Sequence, residues 1–245
     1  TGGMGFIGSH IARHLLREKL VDKVVLVDHW GGYISPINNT IVDQRKHRIA
    51  GIEDKVVIER AQVHHLILTH QLLCKYKPKY IFHLAGLPLA SIENSSAEEA
   101  MEGSVNSTNN LLQSIQLLKD HEGYEPERFV YASSSMVYGD FQYTPADELH
   151  PLNPRNIYGV MKLAGETCTL GLARSFKLKA ACIRPSAVYG PTDINQRVTQ
   201  IFLDNAMLGK KLIVEGEDVA LDFTFVEDIA EGFGLAATKD KAIGE

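Results

Sequence analysis

The sequence predicts an α/β protein with helices on both faces of a doubly wound parallel sheet. Three observations carry that expectation. Short β-branched runs alternate with longer stretches of helical apolar period, the pattern of βαβ units. A glycine-rich turn opens the first helix. No repeat, low-complexity stretch or Ser/Gly linker divides the chain, so any second lobe must be interleaved with the first. At 245 residues and 44% hydrophobic content the chain can bury a sizeable core.

Taken in order, Gly5 to Lys19 reads as a helix because Phe6, Ile7, His10, Ile11 and Leu15 recur on one side. Val24 to Asp28 and Lys55 to Glu59 are β-branched runs and read as strands. Thr69 to Lys77 is helical, Tyr80 to Leu84 a strand, Ala97 to Lys119 a long helix and Arg128 to Ser133 a strand. Ile157 to Phe176 is the next helix and Lys179 to Arg184 the next strand, so each strand has a crossover helix available. The pattern loosens over Pro185 to Asp193. A helix near Asn195 to Leu208, strands at Leu212 to Glu215 and Leu221 to Val226, and a helix from Glu227 to about Thr238 complete the series.

Gly2, Gly5 and Gly8 stand in Gly-x-x-Gly-x-x-Gly spacing, and Gly3, Gly5 and Gly8 also satisfy Gly-x-Gly-x-x-Gly. Such glycines permit a tight turn, let backbone N–H groups approach a pyrophosphate and allow close packing of the following helix. Asp28 closes the next strand 20 residues beyond Gly8, the interval at which a carboxylate meets an adenosine ribose. A carboxylate there accepts from both ribose hydroxyls and repels a 2′-phosphate, and His29 and Trp30 follow it instead of an arginine. The expected cofactor is NAD rather than NADP, on a Rossmann-type domain. The alternative for Asp28 is a turn residue closing a strand.

Tyr158 and Lys162 lie one helical turn apart and project from one face. With 9 tyrosines in the chain such a pair arises readily by chance, so alone it decides nothing. Ser133-Ser134-Ser135-Met136-Val137-Tyr138-Gly139 follows directly after a predicted strand, at the carboxyl edge of the sheet where ligands bind. Glycine cradle, acidic ribose residue, Ser-rich strand end and Tyr-x-x-x-Lys in that order form a specific combination.

In these motifs the chain resembles the extended short-chain dehydrogenases/reductases, the NAD-dependent epimerase/dehydratase family acting on nucleotide sugars, over essentially its whole length. Thr1 to Ser9 is similar to the family's cofactor motif, Phe82-His83-Leu84-Ala85-Gly86 to its fourth-strand motif and Tyr158 to Lys162 to its catalytic motif. Arg184 to Pro191 and Asp222 to Asp228 resemble the later strands and loop. The resemblance implies an enzyme with Ser134, Tyr158 and Lys162 catalytic. Its NAD would lie against Gly2, Gly5, Phe6, Ile7, Gly8, Asp28, Gln62, Leu84, Ala85, Gly86, Ser133, Tyr158, Lys162 and Pro185. Its nucleotide-diphosphate sugar would meet Ser134, Ser135, Tyr158, Ser186 and Ala187. Tyr158 would take a hydroxyl proton, the Lys162 ammonium favouring its phenolate, while Lys162 also holds the nicotinamide ribose.

Family dehydratases and decarboxylases carry an acidic residue two before the equivalent of Tyr138; here that position is Met136, preceded by Ser135. The chemistry left is oxidation to a keto sugar, rotation and hydride return, which is epimerisation, with C4 the expected centre. A dehydratase, decarboxylase or reductase on a similar substrate is the alternative, and an NAD-binding module without turnover the non-enzymatic one. Departures from the family pattern fall at Gln62, Ser104, Ser107, Ser186, Ala187 and Leu221. The last three bear on the substrate.

The remaining features bound the setting. A net charge of −5 offers no cationic field for nucleic acid, and apolar runs such as Val24 to Val27 are far short of a membrane span. No metal motif accompanies His10 and His14, which read as a helix face, while His64, His65 and His70 read as surface residues. Three scattered cysteines, Cys74, Cys168 and Cys182, suit a reducing, cytoplasmic compartment. Leu111, Leu112, Ile115, Leu117 and Leu118 cover more than one face of their helix, as do Met161, Leu163, Ala164 and Cys168 of theirs, so a homodimer is expected. The expected organisation is a cofactor domain over 1–185 with 218–240 returning to it, and part of a substrate-binding lobe over 186–217. Because a phosphate turn joins strand to helix, the sequence is expected to be a fragment that lacks the first strand and the remainder of the lobe after 245.

Overall fold

The structure, a computed structural model, describes residues 1–30, 44–86, 96–194, 197–214 and 220–245. It begins with the glycine turn, where Gly5 N–H donates to Gly2 O at 3.1 Å and starts helix α1 (Phe6–Arg17). Strand β1 (Val24–Asp28) pairs in parallel with β2 (Val56–Arg60), Val24 opposite Val56 and Asp28 opposite Arg60. Helix α3 (Leu66–Tyr76) leads to β3 (Tyr80–His83). Helix α4 (Ala97–Met101), a π-helical turn (Glu102–Asn106) and α5 (Ser107–Glu122) follow without a break. Strand β4 (Arg128–Ala132) pairs in parallel with β3 on one side and β5 (Ala180–Ile183) on the other, with α6 (Ile157–Phe176) as the crossover.

Every residue of β4 is buried, and its alternation divides the core. Phe129 and Tyr131 face α3, α5 and α6, packing with Leu73, Leu112, Ile115 and Leu118. Val130 and Ala132 face α1 and α8 (Val226–Thr238), packing with Ile11, Leu15 and Phe233. Helices thus cover both faces of a parallel sheet, as the sequence predicts. Five of the parallel strands form two hydrogen-bonded groups, β1–β2 and β3–β4–β5. Thr1 and Gly3 lie between them: Leu84 N–H donates to Thr1 O at 3.1 Å and Gly3 N–H to Val27 O at 3.3 Å. Beside them is an apolar cavity of about 710 Å³ whose lining includes Ile11, Leu15, Val25, Ile81 and Phe82. A third pair joins β6 (Val188–Tyr189) to β7 (Thr224–Phe225), on either side of α7 (Val198–Met207).

The sequence-based boundaries differ in identifiable places. The long helix expected from Ala97 to Lys119 contains the π turn, because Ser107 and Thr108 hydroxyls bond back to carbonyls of Gly103 and Ser104. A capping box of Ser96 and Glu99 starts it, and Gly123 ends it at φ 66°. Helix α2 (Arg45–Ile49), too short and basic to show a period, was not expected. Leu212, Ile213 and Val214 form no strand and stand exposed, and the strand expected from Leu221 is reduced to β7, since its partner β6 has only two residues. Asn195, Glu215 and the expected boundary at 217–218 lie outside the described residues. Among the described residues no helix is long and apolar enough to cross a membrane.

Candidate active site

The glycine turn is shaped by backbone approaching backbone. Gly2 has φ 66°, and a Cβ on it would stand 2.9 Å from Ala85 N and Leu84 C; a Cβ on Gly8 would reach within 2.3 Å of Gly2 O. Helix α1 has no side-chain cap at Gly5, and its first intrahelical bond runs from Ser9 N–H to Gly5 O. The N–H groups of Phe6, Ile7 and Gly8 therefore form an uncapped helix start suited to an anion. The side chains of Phe6 and Ile7 turn away from it and pack against Val226 and Val188.

Asp28 stands at the mouth of this turn. Its Oδ2 accepts from Met4 N–H at 3.1 Å and its Oδ1 from Trp30 N–H at 3.0 Å, the backbone contacts of a residue closing a strand. Trp30 is half-exposed beneath the guanidinium groups of Arg45 and Arg60, 5.4 and 5.8 Å from its ring centre. Gln62 is exposed beyond β2, its Oε1 3.1 Å from His65 Nε2. Leu84 and Ala85 back onto Thr1, and a Cβ on Gly86 would stand 3.5 Å from both Lys162 Nζ and Ser104 Oγ, which places Gly86 beside the base of α6.

The Ser-rich strand end continues the ladder of β4: Ser133 N–H donates to Ile183 O at 2.8 Å and Ser135 N–H to Pro185 O at 3.0 Å. Ser133 Oγ is buried with no hydrogen-bond partner among the described residues. Ser134 Oγ accepts from Met136 N–H at 3.2 Å, and Ser134 is near enough to Tyr158 to lower its phenol. A 3₁₀ turn (Ser135–Val137) carries Met136 onto the first turn of α6, where a Cβ on Gly159 would come within 2.6 Å of Met136 O. Asn156 caps that helix through Gly159 N–H at 2.9 Å. Ser186 and Ala187 form the half-buried bend before β6, Ala187 with φ 32°.

Burial raises the Tyr158 phenol above its ordinary value, while the Ser134 hydrogen bond and the charge of Arg197 pull it back down. Lys162 is buried, donates from Nζ to Ala132 O at 2.8 Å and stands 5.8 Å from the Tyr158 ring centre. Burial lowers its ammonium to about 8. Four residues on, the Glu166 carboxylate takes Arg184 through Nε at 3.1 Å and Nη2 at 2.5 Å, while Arg184 Nη1 donates to Tyr138 OH at 2.9 Å. This fork fixes α6 to β5 and to the end of the Ser-rich turn.

Sequence reasoning did not single out Arg197 or the Glu166–Arg184 pair. Glu166 follows Lys162 at helical spacing and could have been read as lying on its face; Arg197 stands at the start of α7, far along the chain, and left no local signal. His10 and His14 are buried, and His10 Nδ1 has a carboxylate at 3.4 Å, Glu227, that spacing did not reveal.

A parallel α/β fold with a glycine turn, a strand-end carboxylate and a Ser–Tyr–Lys cluster defines a nucleotide-cofactor enzyme of the short-chain dehydrogenase/reductase class. The profile of the NAD dependent epimerase/dehydratase family matches residues 1–245, and the chain belongs to that family. It is 30% identical over 236 residues to a provisionally named UDP-glucose 4-epimerase of Methanocaldococcus jannaschii, covering 94% of this chain and 70% of that protein. It is 27% identical over 253 residues to the dTDP-glucose 4,6-dehydratase of Neisseria meningitidis serogroup B, covering 100% of this chain and 68% of that one. The crystal structure of UDP-glucuronic acid 4-epimerase from Bacillus cereus in complex with NAD superposes with a TM-score of 0.80 at 25% identity, covering 100% of this chain and 75% of that chain. The cofactor is NAD, and the residues fit it: the turn has no room for side chains, Asp28 stands at its mouth, and Ser133 Oγ awaits a partner.

Proposed function

We propose that the protein is a nucleotide-sugar 4-epimerase. The observation that carries this reading is the pair Ser135-Met136 on the 3₁₀ turn packed against α6, where no side chain can move a proton at a carbon next to the reacting one. Bound NAD supplies reversible hydride acceptance from the sugar carbon. The chain's own groups do the rest. Tyr158 takes the proton of the C4 hydroxyl and later returns it. Ser134, its hydroxyl oxygen accepting from Met136 N–H, has one O–H proton and donates it to the reacting oxygen. Lys162 holds the nicotinamide ribose from its seat on Ala132 O, and the charge of Arg197 adds to the forces favouring the phenolate. The N–H groups of Phe6, Ile7 and Gly8 would hold the cofactor's phosphates, Asp28 its adenosine ribose and Gln62 its adenine. Leu84, Ala85, Gly86, Ser133 and Pro185 line its remaining length.

Ser135, Ser186 and Ala187 line the sugar-nucleotide side. The cofactor domain occupies 1–185 with 218–240, and 186–217 belongs to the substrate lobe, whose root is the β6–β7 pair. Two copies associate through α5 and α6. Within one chain Leu111, Leu112, Ile115 and Leu118 are buried, whereas Leu117 and Val160 stay exposed and Met161, Leu163 and Cys168 half-buried. A solution mass near twice 27.1 kDa is expected; a monomer at micromolar concentration contradicts this assembly. The free thiols of Cys74, Cys168 and Cys182 suit the cytoplasm. Product analysis of UDP, dTDP and GDP sugars incubated with enzyme and NAD tests the reaction. The expected outcome is a 4-epimer without net NADH; a dehydrated keto sugar would refute it.

A further inference from the structure

We infer that Arg48 is a positioning residue that couples the cofactor turn to the loop leading into the substrate lobe, an inference that rests on the nucleotide-sugar reading above. Arg48 is buried in α2 and reaches both segments at once. Its Nη1 donates to Met4 O at 2.9 Å, inside the glycine turn, and its Nη2 to Thr192 O at 2.8 Å. Met4 is also the residue whose N–H is taken by Asp28, so the peptide groups flanking this one residue are held by the ribose carboxylate on one side and by Arg48 on the other. The short helix carrying Arg48 is itself pinned to α1. Arg13 donates from Nε to Arg48 O at 3.0 Å, and from Nη2 to His47 O at 3.0 Å and Ala50 O at 2.8 Å.

The loop at the far end is held in a conformation it would not choose. Thr192 has φ 69°, a left-handed value that a β-branched residue adopts only when its surroundings impose it. Those surroundings come from the cofactor half: Arg48 on Thr192 O, and His10 Nε2 at 3.1 Å from Pro191 O. This loop joins β6 to α7, at whose start stands Arg197, the charge felt by Tyr158. A dinucleotide ordering the glycine turn and a nucleotide sugar ordering the lobe therefore act on the two carbonyls that one guanidinium bridges. By thermodynamic reciprocity each ligand should tighten the other through it.

The test measures NAD affinity with and without saturating UDP, dTDP or GDP, for the wild type, Arg48→Met and Arg48→Lys. Trp30 is the only tryptophan and its backbone N–H donates to Asp28, so its fluorescence reports cofactor binding. In the wild type the nucleotide is expected to tighten NAD at least about fivefold, within the usual range of such couplings. Both variants are expected to bind NAD with that ratio reduced to within about twofold of one. Lysine keeps the charge and most of the stem but has one nitrogen where arginine sets two, so it loses the planar fork that spans the two carbonyls and gives the same readout if the methionine variant does not fold. A lowered melting temperature with the ratio unchanged, or no tightening in the wild type, overturns the inference alone. If none of the three nucleotides binds the wild type, the function reading falls and the inference falls with it.

Discussion

Tyr158 sits at the start of α6 with its hydroxyl against Ser134, half-buried, and burial holds its proton more tightly than water would. A group so placed needs help to become a base, and the help on hand is a serine hydroxyl, the Arg197 charge and the positive nicotinamide ring of bound NAD. Replacing Tyr158 with Phe removes only the proton acceptor. Turnover should fall by at least about a hundredfold, the lower range of general-base contributions, with NAD binding by fluorescence titration little changed; near-normal turnover would contradict the role. Lys162 was legible from its spacing, but its burial was not, since the carbonyl that holds it comes from β4. Its folded value of about 8 lies below the ordinary 10.5. Between those values the unfolded chain keeps a proton that the folded chain has released, so this group adds stability as the pH rises from about 8 to 10.5. Melting curves of wild type and Lys162→Met over that range should diverge in favour of the wild type with rising pH; parallel curves would contradict the buried environment.

At the scale of elements, the strands and the catalytic helix were legible because each is a long periodic run with its own punctuation: Asn156 before α6, Gly123 after α5. The short pieces were not. Helix α2, β6 and β7 have too few residues to show a period and exist because partners hold them, α2 through Arg13 and Arg48, β6 and β7 through each other. The fork between Glu166 and Arg184 is another product of tertiary structure, joining two elements that sequence treats separately. The Glu166 side chain is only 4% exposed. Glu166→Ala would leave the Arg184 guanidinium poorly compensated, at a cost of about 3 kcal/mol in denaturant unfolding. The double variant Glu166→Ala/Arg184→Met should recover part of that loss. A single variant within about 0.5 kcal/mol of wild type would show that the fork does not hold α6.

Across the whole molecule, the sequence motifs converge on one edge of the parallel strands. The glycine turn follows Thr1, which is bonded to β3; Asp28 ends β1; Ser134 stands just past β4; and Pro185 follows β5. This convergence is why the site was largely legible: ligands of open α/β sheets bind where strands end, and those ends can be counted from sequence. Arg48 and Arg197 escaped because they approach that edge from other directions, one across the glycine turn and one from α7. The central claim is that oxidation and reduction occur at the same sugar carbon, with Met136 in place of an acid that would move a proton elsewhere. The direct measurement takes a nucleotide sugar that the enzyme turns over, labelled with deuterium at C4, and locates the label in the product by NMR. The account predicts inverted configuration at C4 with the deuterium still on C4. Deuterium found on C6 of a dehydrated keto sugar would contradict it.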